Sequence, residues 1–263
     1  MFKLTSLNLN GIRSATSKGV EAWLAQSSPD CICVQEVKAQ ADDVAGRFEA
    51  LAGLKGHFHF AAKKGYSGVA VYTRHEPSEV VVGWDGGEFD AEGRYVELRF
   101  DTPSRKLSLI SAYFPSGSSG EERQQAKFRF LAGFEPHLAR LKGQREFILC
   151  GDINIAHRKE DLKNWRSNQK NSGFLPEERE WMTRLLDHTG LVDVYRRLQP
   201  DTTDACYTWW SNRGQAYAKN VGWRLDYHLA TPAVAALARR ESIYKDERFS
   251  DHAPITIEYE FAL

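Results

Sequence analysis

Eight polar residues sit where apolar runs stop or start. Asn8 and Asn10 follow the run from Phe2 to Leu7, Glu36 follows Cys31-Ile32-Cys33-Val34, and Asp152 and Asn154 follow Phe147-Ile148-Leu149-Cys150. Asp226 adjoins Leu225, and the pair Asp251-His252 precedes the last apolar run. Any one Asp or Asn has an ordinary explanation as a turn former. Five run ends marked in this way point to a shared site, because a layered fold gathers its strand ends along one edge. Carboxylates and amides without a Cys/His cluster are hard oxygen ligands, which favour Mg²⁺, Mn²⁺ or Ca²⁺ over zinc. Magnesium needs only one or two protein carboxylates when substrate phosphate completes its shell, and Glu36 at the end of a buried run is the first choice. Asp152 and the pair Asp251-His252 with Asp226 then suit proton transfer and charge stabilisation in phosphoryl transfer.

The elements that must hold these groups are mainly short β-rich runs: Lys3 to Asn8, Asp30 to Gln35, Gly68 to Thr73, Glu79 to Val82, Tyr95 to Phe100, Lys106 to Tyr113, Glu146 to Cys150, Leu225 to Leu229 and Ile255 to Phe261. Helical periodicity appears at Lys18 to Gln26, Gln40 to Leu51, Glu121 to Leu141, Pro176 to Thr189 and Pro232 to Arg240. Strands come both singly between helices and in adjacent runs, which predicts mixed sheets. An echo links Leu7-Asn8-Leu9-Asn10-Gly11 with Leu149-Cys150-Gly151-Asp152-Ile153-Asn154, so two similar units packed face to face are expected. The fold expected is an α/β, four-layered sandwich of two mixed β-sheets with helices outside, forming one domain over residues 1–263.

Composition excludes other classes. The chain has 42% hydrophobic and 27% charged residues, which rules out a disordered or collagen-like polymer. No run reaches the ~18 to 20 apolar residues of a membrane span, and a cytoplasmic monomer is expected. Cys31, Cys33, Cys150 and Cys206 read as reduced thiols rather than a disulfide framework. Net charge is zero, so any attraction to nucleic acid must be local; the densest basic stretch, His157 to Lys170, has five Lys/Arg against two acids.

Seven ordered segments then acquire a joint meaning: Leu7-Asn8-Leu9-Asn10-Gly11-Ile12-Arg13, Gln35-Glu36-Val37-Lys38, Gly65-Tyr66-Ser67-Gly68-Val69, Glu92-Gly93-Arg94, Gly151-Asp152-Ile153-Asn154, Lys219-Asn220-Val221-Gly222-Trp223-Arg224-Leu225-Asp226-Tyr227 and Ser250-Asp251-His252. Together, over residues 3 to about 260, they resemble the exonuclease III-like apurinic/apyrimidinic (AP) endonucleases. That resemblance implies a Mg²⁺-dependent repair nuclease, with Mn²⁺ as the alternative ion. It would cut double-stranded DNA 5′ to an abasic site, with 3′-phosphodiesterase, 3′-phosphatase and 3′-to-5′ exonuclease activity on 3′-blocked ends.

Carried over residue by residue, the resemblance makes Glu36 the principal metal ligand with Asn10 and Asp251 nearby, and Asp152 the group that activates water, assisted by Asn154. His252, held by Asp226, would contact phosphate, and Tyr113, Asn8 and Asn154 would bind phosphate or the leaving group. Trp209, Trp223 and Leu225 would line a pocket for an extrahelical baseless sugar, opposite the small residues of Asn171-Ser172-Gly173-Phe174. Arg13, Lys38, Tyr66, Arg94, Asn171, Arg213, Lys219 and Arg224 are candidates for contacts to the DNA backbone. Two positions depart from the pattern: Ser116 stands where many relatives carry Asn, and Asn10 where some carry Asp. Pancreatic-type deoxyribonucleases, inositol-polyphosphate phosphatases and sphingomyelinases share the Glu and Asp-His parts, but not the Asn220 to Tyr227 segment or the loop at Asn171. A noncatalytic DNA-binding module would not need Glu36, Asp152, Asp226 and His252 intact.

Overall fold

The apolar runs pair into two mixed sheets in a computed structural model that describes residues 1–263. From edge to edge, the first sheet is Ala238–Ile243, Ile255–Tyr259, Phe2–Asn8, Cys31–Gln35, Val69–Thr73, Leu54–His59 and Ala50–Leu51. The second is Val192–Asp193, Asp226–Ala230, Glu146–Asp152, Arg105–Tyr113, Tyr95–Thr102 and Glu79–Val82. Each sheet contains one parallel pair, Phe2–Asn8 with Cys31–Gln35 and Arg105–Tyr113 with Glu146–Asp152, and all other neighbours are antiparallel.

Facing side chains explain the stacking. Phe2, Leu4, Cys31, Cys33, Val69 and Val71 of one sheet form a single buried cluster with Val96, Leu98, Leu107, Leu109, Ile148 and Cys150 of the other. Cys31–Gln35 is buried along its whole length, as befits a strand covered on both faces. The outer face of the second sheet packs against the helices Glu121–Lys142 and Pro176–Asp187 through Phe130, Phe134, Trp181 and Leu185. The first sheet is covered by Ile12–Ser17 and Val20–Ser27 through Ile12, Val20 and Leu24. This is the four-layered α/β sandwich expected from the sequence. No helix is long and apolar enough to cross a membrane, and all four cysteines are buried free thiols.

Several elements differ from expectation. The helix expected over Gln40 to Leu51 lasts one turn, Ala41–Val44, because Gly46 takes a left-handed φ of 68° and Leu51 joins a strand. That expected over Pro232 to Arg240 stops at Ala235, and Ala238–Ile243 becomes an edge strand against Ile255–Tyr259; cross-strand pairing overrides the local period. Leu54–His59 is a strand despite its polar content. The internal echo is real but shifted: helices link Phe2–Asn8 to Cys31–Gln35, and another links Arg105–Tyr113 to Glu146–Asp152, so Glu146–Asp152 corresponds to Cys31–Gln35.

The consequence is positional. Asn8 and Gln35 end their parallel strands in register, as do Tyr113 and Asp152, and Asp226 opens the antiparallel strand beside Asp152. One end of the sandwich therefore collects the polar groups of the strand ends. Gly151 permits the closeness, since a Cβ there would lie 2.0 Å from the Ala112 carbonyl oxygen. Gly151→Ala should force the two parallel strands apart and destabilise the fold by about 1–3 kcal/mol, the range for overpacking. Urea unfolding of the two proteins checks it.

Candidate active site

Tight turns after the strands aim the side chains. Asn10, Glu36, Lys38 and Asn154 all have left-handed φ, at 44°, 50°, 50° and 54°. Such conformations cost energy for residues other than glycine and are typical of functional loops. They fold the chain back so that one amide reaches both sheets: Asn8 Nδ2 donates to Glu36 Oε1 at 2.8 Å and to Asp152 Oδ2 at 2.9 Å. Asp152 Oδ1 accepts the Asn154 backbone N–H at 3.0 Å, and Asn154 Nδ2 donates to the Phe114 carbonyl at 2.9 Å.

These bonds alter two expected roles. Both Nδ2 hydrogens of Asn8 are used between carboxylates, so Asn8 braces the site and has none left for phosphate. Asn154 commits its backbone N–H and one Nδ2 hydrogen, which leaves its second Nδ2 hydrogen and its Oδ1 free beside Asp152, the oxygen suited to orienting water.

His252 Nδ1 lies 2.8 Å from Asp226 Oδ2, and its Nε2 lies 3.6 Å from Asp152 Oδ2. Burial alone would depress the imidazolium, but the charges of Asp226 and Asp152 override it and lift its pKa to about 10. Asp226 Oδ1 is buried without a donor, so His252 is the chief compensation for that carboxylate. Burial pushes Asp152 up to about 7, with Asp226 and Glu36 adding to the rise and His252 opposing it. Glu36 is held below the ordinary carboxylate range: burial opposes its charge, but Lys38 and Asn8 outweigh burial. Burial and the Glu36 charge raise Tyr113, which therefore stays a phenol and can donate.

Oxygen donors converge on the Glu36 side. Lys38 Nζ lies 2.8 Å from Glu36 Oε2 and 2.6 Å from Asn10 Oδ1, while Asn10 Nδ2 donates to Asp251 Oδ1 at 3.1 Å. The ammonium thus stands where two expected metal ligands share one cation, a donor set that fits a hard divalent ion. Glu36, Asp152 and His252 also offer atoms within 4.8 Å of one another. With His252 held as imidazolium, a cation already fills that corner.

A cavity of about 190 Å³ opens from this centre, between Tyr113, Ser116 and Ser118 on one side and Trp209, Trp223 and Leu225 on the other. Ser172 and Gly173 also line it. Trp209 and Trp223 meet edge to face at 6.3 Å, and Trp209 Nε1 donates to Asp251 Oδ2 at 3.0 Å, tying the apolar wall to the polar centre.

The expected backbone contacts divide. Arg13, Arg213 and Lys219 are exposed, Arg13 being paired with Asp43 at 3.0 Å. Lys38 is engaged at the site itself, and Asn171 lies outside the cavity with its amide on Asn168. Arg94 is buried, its guanidinium spent on Glu92, the Tyr66 hydroxyl and the Tyr113 carbonyl, so it positions those tyrosines. Arg224 is also misassigned by sequence: it has no exposed surface and forms a buried network with Asp161 at 2.8 Å and Asp193 at 2.7 Å. Two cations escaped the sequence reading. Lys63 and Arg123 line a cavity of about 390 Å³ that shares Tyr113 and Ser116 with the catalytic one. Neither lies in a motif. The basic stretch from His157 borders a separate cavity of about 580 Å³ that lacks the carboxylate–histidine arrangement.

Known proteins resemble this chain in sequence and in fold. Residues 5–252 match the family model described as the endonuclease/exonuclease/phosphatase family. The chain is 36% identical over 256 residues to an exodeoxyribonuclease of Bacillus subtilis (strain 168), covering 97% of this chain and 98% of that one. It is 38% identical over 258 residues to DNA repair nuclease APEX1 of Danio rerio, covering 97% of this chain and 81% of the relative. The solved structure of an AP endonuclease from Archaeoglobus fulgidus superposes with a TM-score of 0.86 at 27% identity, covering 99% and 100% of the two chains.

Arg224 lies between the pocket residues Trp223 and Leu225, so its network anchors the segment that links the strand Gly222–Trp223 to Asp226–Ala230. Arg224→Met leaves Asp193 and part of Asp161 unpaired in the interior and should cost about 3–5 kcal/mol by urea unfolding. Burial would raise Asp161, but Arg224 and Arg196 hold it far below the ordinary range. Its depressed pKa contributes stability above the unfolded value of about 4 that is withdrawn on acidification. The gap between wild type and variant should therefore narrow as the pH falls below about 4.

Proposed function

Since the chain belongs to the endonuclease/exonuclease/phosphatase family, and within it to the exonuclease III-like AP endonucleases, we propose that residues 1–263 act as one catalytic unit that hydrolyses the phosphodiester 5′ to an abasic site in duplex DNA. The same centre would also remove 3′-blocking phosphates and act as a 3′-to-5′ exonuclease. The observation that carries the reading is the union of the Glu36, Asp152, Asp226 and His252 constellation with a small apolar-walled cavity beside it. At about 190 Å³ the cavity is below the ~300 Å³ lower end for drug-sized ligands, and it suits a sugar stripped of its base.

Asp152, near neutrality in its affinity for protons, accepts a proton from a water oriented with the help of Asn154 Oδ1. The water oxygen bonds to phosphorus as the bond to the 3′-oxygen breaks. The 3′-oxygen takes up a proton, leaving a 3′-hydroxyl and a 5′-deoxyribose phosphate. His252, oriented by Asp226, presents its Nε2–H to a nonbridging oxygen, and the Tyr113 hydroxyl provides a second donor. Glu36, with Asn10 and Asp251 beside it, would hold Mg²⁺, which when bound supplies positive charge to the phosphate. Exposed Arg13, Arg213 and Lys219, with Lys63 and Arg123, would hold the duplex by its backbone without reading sequence.

A duplex carrying one abasic analogue tests this directly. It should be cut once, 5′ to the lesion, with Mg²⁺ and not with EDTA; absence of that cut, or indifference to EDTA, overturns the reading. Glu36→Gln should weaken Mg²⁺ binding by calorimetry and lower turnover by about 10²-fold, with partial recovery at high Mg²⁺. The cavity is probed separately by Ser172→His, a better site than Gly173, whose φ of 94° disfavours any side chain. Filling the pocket should reduce abasic cleavage by about 10-fold or more while 3′-phosphatase activity on a nicked duplex changes little. Equal losses would mean the substitution damages the catalytic centre generally, and no loss in either activity would mean the loop does not serve the lesion.

A further inference from the structure

Beneath the cavity lies a pair of charges to which the reaction assigns no task. Lys127, on the helix Glu121–Lys142, and Glu178, on the helix Pro176–Asp187, are both fully buried, with Nζ and Oε1 2.6 Å apart. Lys127 Nζ also donates to the carbonyl of Asn154 at 2.7 Å. Glu178 Oε1 accepts from Gln124 Nε2 at 3.0 Å, and its Oε2 accepts the backbone N–H groups of Gly173 at 2.7 Å and Leu175 at 3.0 Å. Four donors therefore fill one carboxylate. Gly117, between Ser116 and Ser118 of the opposite wall, packs closely on Glu178's partner Gln124, for a Cβ there would come 1.9 Å from Gln124 Oε1 and 2.6 Å from Ser172 Oγ.

An ion pair this deep adds little net stability, since apolar residues of similar volume often serve as well or better. What it does supply is position. Holding the Asn154 carbonyl keeps that residue at a φ of 54°, the turn that sends its N–H to Asp152. Holding the Gly173 N–H keeps that backbone against Trp223, whose ring would lie 3.1 Å from a Cβ at Gly173. One end of the pair thus acts on the water-orienting turn, and the other on the pocket wall.

We propose that Lys127 and Glu178 are positioning residues that set the spacing between the hydrolytic centre and the sugar pocket; what fills the pocket rests on the abasic-site reading. A misplacement of about 1 Å is enough to lower turnover by ~10²-fold. The double variant Lys127→Met/Glu178→Gln removes both charges, so no buried ion is stranded, but the Asn154 carbonyl loses its donor. Its Tm should stay within about 5 °C of wild type, while kcat on the abasic duplex falls about 10- to 100-fold with KM changed less than about 3-fold. Glu178→Gln alone should speed hydrogen exchange at the Gly173 and Leu175 amides, and should reduce abasic cleavage more than 3′-phosphatase activity.

Wild-type kcat in the folded double variant overturns the proposal. So does a series of variants whose activity falls only in step with Tm, or Gly173 and Leu175 exchange unchanged in Glu178→Gln. Failure of the wild-type protein to cut an abasic duplex would instead overturn the substrate reading. The exchange measurement and any 3′-phosphatase activity of the wild type would still decide the positioning role.

Discussion

Two carboxylates from different sheets, Glu36 and Asp152, must stay close although like charges repel, and the amide of Asn8 between them is what makes that arrangement hold. A neutral donor with two hydrogens can bridge two anions without itself becoming a counter-charge. The remaining repulsion is met by cations on either flank, Lys38 beside Glu36 and His252 beside Asp152. The high proton affinity of His252 and the near-neutral one of Asp152 both follow from this crowding of acids in a buried place. Burial makes each charge effective, and the network keeps it tolerable.

The architecture serves that crowding. Parallel pairs at the centre of both sheets bring strand ends out on the same side, and the inter-sheet core of Cys33, Val71, Leu109 and Cys150 fixes how far apart they emerge. Below this level, Gln35 Nε2 reaches Ser111 Oγ at 3.0 Å and Ser111 Oγ donates to the Val34 carbonyl at 2.8 Å, a polar stitch between the sheets. The hydrolytic centre and the apolar pocket then share Asp251, which touches Asn10 on one side and Trp209 on the other.

Much of this was legible in the chain because strand periodicity and terminating polar residues are local signals. Glu36, Asp152, Asp226 and His252 could be read from run ends and familiar segments, and the structure brings them together. Burial was not legible. Arg224 and Arg94 sit in segments full of functional residues, yet their charges answer Asp161, Asp193 and Glu92, partners up to 63 residues away in the chain. Lys127 and Glu178 were overlooked for the converse reason, since Lys and Glu on helices usually face solvent. The helix lost after Pro232 shares this origin, since the strand Ile255–Tyr259 that pairs with Ala238–Ile243 lies further along the chain, whereas the one after Gln40 ends at the left-handed turn of Gly46.

The left-handed turns at Asn10, Glu36, Lys38 and Asn154 carry a consequence for the history of such a protein. Each costs on the order of 1 kcal/mol or more that glycine would largely relieve, so thermal robustness and catalytic competence pull in opposite directions at four neighbouring positions. A lineage selected only for heat resistance would drift toward glycine there and keep its sandwich intact. Side-chain identity at those four turns is therefore a sharper record of whether selection has acted on hydrolysis than anything in the core, where folding alone would preserve the pattern.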